Sequence, residues 1–434
     1  SSLDGLRGYA AFAVMNYHIF YAYQNIVFYG YGLPQEALTS SCARPDESPA
    51  TTNWIIQLPI LRLPITGTWA ISIFYVLSGF ALSYKPLRES RDPSQGFTKS
   101  TAVVASSFLR RPIRLFGPPI LATFITMLGL QLGAFITSQA IAKTSPWVPI
   151  IKENLASPLP TFTAQLADWT HQTWRMLFVF WWGDIYNHYD VHLWTIPAEF
   201  RSSLAIFLFL PMYITIKPWI RRPLTVLIII YIYALDRWDV ALFYSGLLLA
   251  DTTIDTHTNH DTKPPTLPNR TISILLRLTL LITSLHLLSA PDFCISQTPG
   301  FQLLSYLIPP SDPAPFRFLP NLGGIILISL ITHTSPENRV ISTILNGSIP
   351  QYLGRISYSL YIVHGPLMHL LGYRLFKAFW MVTGVEEVWR YVVGFGGAYV
   401  VFVGVVVWIA DLFWSGVDRG FVALARRVES LVIV

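Results

Sequence analysis

Charge and cysteine are what this sequence has little of. Only 12% of its 434 residues are Asp, Glu, Lys or Arg, while 52% are hydrophobic and the mean hydropathy is +0.46. That is about half the charge of an ordinary soluble domain, so a water-soluble globule is excluded and the chain reads as a polytopic membrane protein. The two cysteines, Cys42 and Cys294, exclude a disulfide scaffold and a thiolate-rich zinc centre. No long basic run and no nucleic-acid motif is present, so the formal charge of +6 is read as a cytosolic bias of Lys and Arg, with no DNA or RNA partner. No internal repeat is evident, which weakens a transporter built from inverted repeats. The first apolar segment lacks a basic leader and a small-residue cleavage site, so it is expected to span the bilayer rather than to be removed.

What the chain does have is aromatic and apolar length. Fourteen Trp, 21 Tyr and 27 Phe suit interfacial belts as well as a helix-bundle interior. Apolar stretches fall near 5–27, 66–84, 115–137, 193–216, 219–235, 238–251, 272–290, 319–333, 356–376 and 390–412. The expectation is an all-α transmembrane bundle of about ten spans over 1–412 in a lipid bilayer, with 413–434 as a cytosolic amphipathic tail. The stretches 238–251 and 319–333 are short, so tilting, local thinning or burial inside the bundle is expected there. The Pro-rich connections 30–64 and 291–320 read as irregular caps, and the aromatic run 174–182 as a segment that lies in the interface or re-enters the membrane.

Orientation follows from the connection 84–114, where Lys85, Arg88, Arg91, Lys99, Arg110, Arg111 and Arg114 face only Glu89 and Asp92. Placing it in the cytosol makes both termini cytosolic and sends Cys42 and Cys294 to the opposite, oxidising face. A disulfide between them and a pair of free thiols are both open.

Arg7 and His18 lie eleven residues apart in the opening apolar segment. On a helix that is three turns to within about 20°, so both project from one face roughly 16 Å apart. Ionisable groups inside a spanning helix are expensive and commonly face a polar cavity with a function. A snorkelling arginine and a bundle histidine bonded to neighbours are the plain alternative. Glu199 and Arg201 sit at membrane depth after Leu193 and Trp194, with Pro197 freeing a backbone carbonyl. Glu199 then reaches about the depth of His18, where a carboxylate would fix the imidazole tautomer; a structural Glu199/Arg201 pair is the alternative, though residues two apart diverge on a helix. Arg110, Arg111 and Arg114 suit bidentate phosphate binding, or a stop-transfer cluster at lipid headgroups. Ser78 is either a nucleophile or, with Gly79, a close-packing position. His364, six residues after Tyr358, lines the acceptor side of a cavity or satisfies neighbouring polar groups. Metal sites at His257 and His260, or at Asp184, His188, Asp190 and His192, are weaker readings than solvated loops, so no metal is expected.

Together these blocks resemble the acyltransferase-3 group of membrane O-acyltransferases. The Leu-Asp-Gly-Leu-Arg-Gly opening with Arg7 and His18 is similar to that family's Arg-x10-His motif, and Phe74 to Phe80 to its Phe-x-Leu-Ser-Gly-Phe element. Arg111 with Arg114 resembles its cytosolic Arg-x-x-Arg, Leu193 to Phe200 its Leu-Trp-x-Leu-x-x-Glu segment, and Gly354 to His364 its Gly-x-Ile-Ser-Tyr-Ser-Leu-Tyr-x-x-His. The blocks keep the family's order between residues 3 and 364, and Arg201-Ser202-Ser203 after Phe200 looks like the fungal branch. The resemblance implies acyl-CoA, acetyl-CoA above all, as co-substrate and a hydroxyl of a glycan, lipid or small natural product as acceptor. On that reading His18 is the general base oriented by Glu199, and Arg7 binds the donor or offsets charge on the tetrahedral intermediate. Arg110, Arg111 and Arg114 then hold the CoA phosphates, while Ser78, Trp194, Arg201, Tyr358 and His364 fall on the acceptor side or along the cavity. No fused esterase follows the last apolar stretch, so transfer is expected to finish inside the bundle. A ping-pong route through acylated His18 or Ser78 stays open. The rival from another class is a proton-coupled transporter with His18 and Glu199 as relay groups.

Overall fold

A computed structural model describes the chain except for residues 45–50, 145–147, 149, 151–152, 182, 184, 261–269, 334–338 and 434. Among the described residues there is no β-strand. The helices are α1 (Ser2–Tyr23), α2 (Thr68–Glu89), α3 (Gly96–Gln131), α4 (Ile136–Thr144), α5 (Phe162–Leu177), α6 (Thr195–Tyr213), α7 (Pro218–Ala234) and α8 (Trp238–His260). They continue with α9 (Arg270–Leu288), α10 (Gln302–Ser305), α11 (Pro315–Thr332), α12 (Arg339–Asn346), α13 (Ser348–Leu367), α14 (Tyr373–Thr383), α15 (Val388–Phe413) and α16 (Arg419–Val432). The chain is an all-helical integral membrane protein. Five of its described helical segments are long and apolar enough to cross a bilayer: Thr68–Glu89, Gly96–Gln131, Val191–Tyr213, Pro315–Thr332 and Val388–Val432.

Helix boundaries depart from the apolar runs in two informative places. The stretch 238–251 is the first part of a 23-residue helix that continues through polar residues, about 34 Å long at 1.5 Å per residue. The basic connection 84–114 is mostly helix, with α2 running to Glu89 and α3 opening at Gly96. Good helix formers such as Ala, Leu and Arg carry the polar turns, and Pro112, Pro118 and Pro119 are accommodated inside α3 although each lacks an amide donor.

The chain divides into two compact units. The first comprises Ser1–Tyr17, Ile26–Leu109 and Glu199–Arg355. Its centre is the crossing of α2 and α8, where small residues let backbones meet: a Cβ on Gly79 would lie 2.1 Å from Phe243 O, and one on Gly246 2.2 Å from Val76 O. Helix α11 packs on α2 through Ser72 Oγ, which donates to Asn321 Oδ1 at 2.7 Å. The start of α1 meets the start of α13 in the same way, with Gly8 against the backbone of Pro350 and Gly354.

The connection between α1 and α2 is a cap of short 3-10 turns tied down by polar contacts rather than by regular structure. Cys42 and Cys294 are joined in a disulfide, with Cα atoms 4.9 Å apart. Arg62 is fully buried and donates to Val27 O at 2.6 Å and Ser289 O at 3.2 Å. Asp292 accepts from Tyr17 Oη at 2.9 Å and from Thr68 Oγ1 at 2.8 Å. Burial raises its carboxyl above the usual range, with Arg62 opposing.

The second unit comprises His18–Asn25, Arg110–Ala198 and Ile356–Val434. An aromatic core of Tyr23, Phe376, Trp380 and Phe395 joins α1, α14 and α15. Among the described residues, two five-residue π turns interrupt its long helices, at Met368–Gly372 between α13 and α14 and at Trp414–Asp418 between α15 and α16. Helix α16 packs on α3, where Phe421 lies against Gly117, and Arg110 Nε pairs with Glu429 Oε2 at 3.3 Å. The aromatic run at the end of α5 and just beyond it is surface: Trp174, Phe178, Phe180 and Trp181 are all more than half exposed.

Candidate active site

Three imidazoles converge in the second unit. His18 comes from the last turns of α1, His192 from the 3-10 turn Val191–Trp194 and His364 from α13. Ring centroids are 4.0 Å apart for His18 and His192, 4.7 Å for His192 and His364, and 5.1 Å for His18 and His364. The close approach depends on Gly365, since a Cβ there would fall 2.3 Å from His192 Nδ1.

His192 is held from both sides. Asp190 caps the 3-10 turn, accepting from the His192 amide at 3.0 Å and from its Nδ1 at 2.8 Å through the same Oδ1. On the far edge of the ring, Nε2 meets Glu153 Oε1 at 2.8 Å. Two carboxylates on two ring nitrogens require both nitrogens to donate, so His192 is an imidazolium. Tyr361 Oη locks the turn from below, bonding to Thr195 Oγ1 at 2.7 Å and to the carbonyl of His192.

Glu153 is the second centre of the cluster. Its Oε1 lies 3.5 Å from His18 Nδ1, and its Oε2 accepts from His369 Nε2 at 3.1 Å. Burial alone would raise this carboxyl, but the charge of His192 and hydrogen bonds from His18, His192 and His369 hold it well below the ordinary carboxylate range. His369 stands in the π turn Met368–Gly372, and π bulges inside α-helices are frequent at functional sites.

His364 offers the open atom. Its Nδ1 sits 3.2 Å from Leu360 O one turn back, which assigns the proton to Nδ1, while Nε2 is buried with no hydrogen-bond partner among the described residues. The three rings bring one nitrogen each within 4.8 Å of the others, the spacing of a metal cluster. A metal would have to take a His192 nitrogen from a carboxylate, however, and hydrogen-bonded imidazoles account for the contacts.

The basic cluster also belongs to this unit. Arg114 lies within electrostatic reach of Arg110, Arg111 and Arg426, with Asp418 as the nearby acid. Arg110 pairs with Glu429, and Tyr358 Oη donates to Leu115 O at 2.5 Å, tying α13 to α3 beside Arg114. Trp194 ends the His192 turn with its ring 6.5 Å from that of Tyr186.

Other residues singled out in the sequence fall in the first unit. Arg7 donates from Nη2 to Gly354 O at 3.0 Å and pairs with Asp4 at 3.3 Å, so it ties α1 to the start of the Gly354 segment. Ser78 Oγ donates to Glu199 Oε1 at 2.9 Å, beside Gly79 and its close-packing contact. Arg201 is buried and pairs with Asp239 at 3.2 Å, and Arg237 shares that carboxylate. Of the loop group considered for metal, Asp190 and His192 bond each other and His188 faces Gln172 at 3.5 Å. Asp184 and the side chains of His257 and His260 lie outside the described residues.

Sequence reasoning missed Glu153 and His369. Glu153 stands in a non-helical connection with no periodicity or motif around it. His369 carried a signal, five residues after His364 across a Gly-Pro pair that marks a disturbed helix.

The described site is thus a buried histidine cluster and a basic cluster in an all-helical membrane chain. The acyltransferase-3 family model, described as an acyltransferase domain, matches residues 1–411, and the chain belongs to that family. Among curated proteins it is similar to the O-acetyltransferase PaAT-1 of Phomopsis amygdali, 28% identical over 98% of this chain and 84% of that protein. It is also similar to acyltransferase R4 of a Phoma species, 24% identical over 96% of this chain and 93% of that protein. Acyltransferase clz18 of Cochliobolus lunatus is 23% identical over 99% of this chain and 95% of that protein. No solved structure matches. The protein is an acyltransferase.

Proposed function

We propose that this enzyme moves an acetyl group from acetyl-CoA to a hydroxyl of a glycan, lipid or small natural product, with His18 as general base. The observation that carries this reading is the buried imidazole cluster, in which His18 has a carboxylate behind it and His364 presents an unpartnered Nε2. His18 takes the proton of the acceptor hydroxyl as its oxygen attacks the thioester carbonyl. The tetrahedral intermediate then collapses, the C–S bond breaks, and the leaving CoA thiolate takes the proton from His18. His364 Nε2 accepts a hydrogen bond from a second hydroxyl or other donor of the acceptor molecule, not the attacking one, and aligns it. The name of the Phomopsis relative supports acetyl as the group transferred.

Arg110, Arg111 and Arg114 bind the CoA phosphates, with guanidinium forks suited to phosphate oxygens. Arg7 and Glu199, in the first unit, are expected to contribute to turnover as the family motifs imply. The arginine assignment has a direct test in acetyl-CoA binding and hydrolysis by the purified full chain in detergent. Arg111→Ala and Arg114→Ala should each weaken acetyl-CoA binding by about ten-fold or more, since a hydrogen bond to a charged group contributes about 1.5–3 kcal/mol. The binding should also become less sensitive to salt. Unchanged affinity and salt dependence in both variants would assign this cluster to lipid headgroups instead.

A further inference from the structure

We propose that Glu153 is the positioning carboxylate of the catalytic base, fixing His18 with Nδ1 protonated and Nε2 directed to the acceptor hydroxyl. This inference rests on His18 being the base. Three imidazoles on one carboxylate are far more than its burial requires. Glu153 Oε1 faces His18 Nδ1 at 3.5 Å and His192 Nε2 at 2.8 Å, and Oε2 takes His369 Nε2 at 3.1 Å. Its side chain is only 5% exposed. A residue needed merely to fill that space would be apolar, because taking a charge out of water is costly until its partners offset it.

The arrangement assigns each proton. His192 is already an imidazolium between Asp190 and Glu153, so it is no base. His369 donates its Nε2 proton to Glu153, and the π turn Met368–Gly372 is what aims it there. His18 is the base of the proposed reaction, and a proton on Nδ1, facing Glu153 at 3.5 Å, makes Nε2 the basic atom. Glu153, Asp190 and His192 together carry one net negative charge. That charge is neutralised when His18 takes the acceptor proton, so Glu153 offsets part of the repulsion that the neighbouring His192 imidazolium exerts on the new charge. The 3.5 Å spacing is that of a site without substrate, where catalytic contacts are commonly long and tighten in the complex.

The test is steady-state CoA release from acetyl-CoA, with water as acceptor, by the purified full chain in detergent. Glu153→Gln keeps the shape and removes the charge. It should lower kcat by about 10- to 1,000-fold, the range of a misoriented base, while KM for acetyl-CoA stays within about two-fold. Glu153→Asp should recover part of that loss. Against the residual rate of His18→Ala, adding Glu153→Gln should cost nothing more, because the carboxylate acts through a residue already gone. Wild-type kcat in a folded Glu153→Gln, or equal added losses in both backgrounds, would overturn the role of Glu153 and leave His18 standing as base. Wild-type kcat in His18→Ala would overturn the base assignment itself. Should Glu153→Gln fail to fold, His369→Asn decides, since it removes only the contact to Oε2. A several-fold fall in kcat at constant KM supports the inference, and an unchanged kcat overturns it.

Discussion

His192 has a carboxylate on each ring nitrogen, and that pair of contacts determines what its neighbours can do. With its own protons committed, it serves as a fixed positive charge, and the proposed chemistry falls to His18 and His364. Arg201 shows the opposite use of a buried charge. It lies in the first unit against Asp239, which it shares with Arg237, and its two-apart neighbour Glu199 instead meets Ser78. Asp239→Asn leaves Arg201 buried against a neutral partner and should cost about 3–5 kcal/mol in detergent unfolding, whereas Arg201→Met combined with Asp239→Leu should cost less than that. Equal stability of Asp239→Asn and wild type would mean the pair contributes nothing. At this scale motifs marked His18 and His364, whose rings the fold brings together, and also Arg7, Ser78 and Glu199, which pack in the first unit. Glu153 was not marked, because a carboxylate in a connection is positioned by partners from α1, the His192 turn and the π turn, all distant in sequence.

Among the elements, α2 and α8 are the pair whose fit depends most on what is missing from a side chain. Gly79 and Gly246 each place backbone where a Cβ would stand 2.1–2.2 Å from a carbonyl oxygen. Gly246→Ala is therefore expected to destabilise the protein by about 1–3 kcal/mol through forced separation of the helices. Gly416→Ala, where nothing lies within 4 Å, should stay within about 0.5 kcal/mol of wild type. Thermal unfolding of both variants checks this, and equal melting points would contradict the close crossing. Apolar runs located most helices because hydrophobic length is written locally. They misjudged the ends of α2, α3 and α8, since polar helix formers extend a helix beyond its apolar part. The π turns were illegible, as nothing in Met368–Gly372 announces an extra residue per turn.

For the molecule as a whole, composition alone gave the membrane class, and five blocks in order gave the family that the match to residues 1–411 establishes. The disulfide is the longest covalent tie, closing a separation of 252 residues between Cys42 and Cys294. Cys42→Ser should cost about 2–5 kcal/mol and abolish the mobility difference between reduced and non-reduced protein, and a variant as stable as wild type would show the tie to be idle. The central claim is that His18 is the base of an acyl transfer from CoA, and free-thiol release from acetyl-CoA by the purified protein tests it most directly. Slow release by wild type, with His18→Ala reduced at least about 100-fold while still folded, is the expected result. No release from acetyl-CoA or longer acyl-CoAs, together with no CoA binding, would contradict it, as would a His18→Ala variant that releases thiol at the wild-type rate.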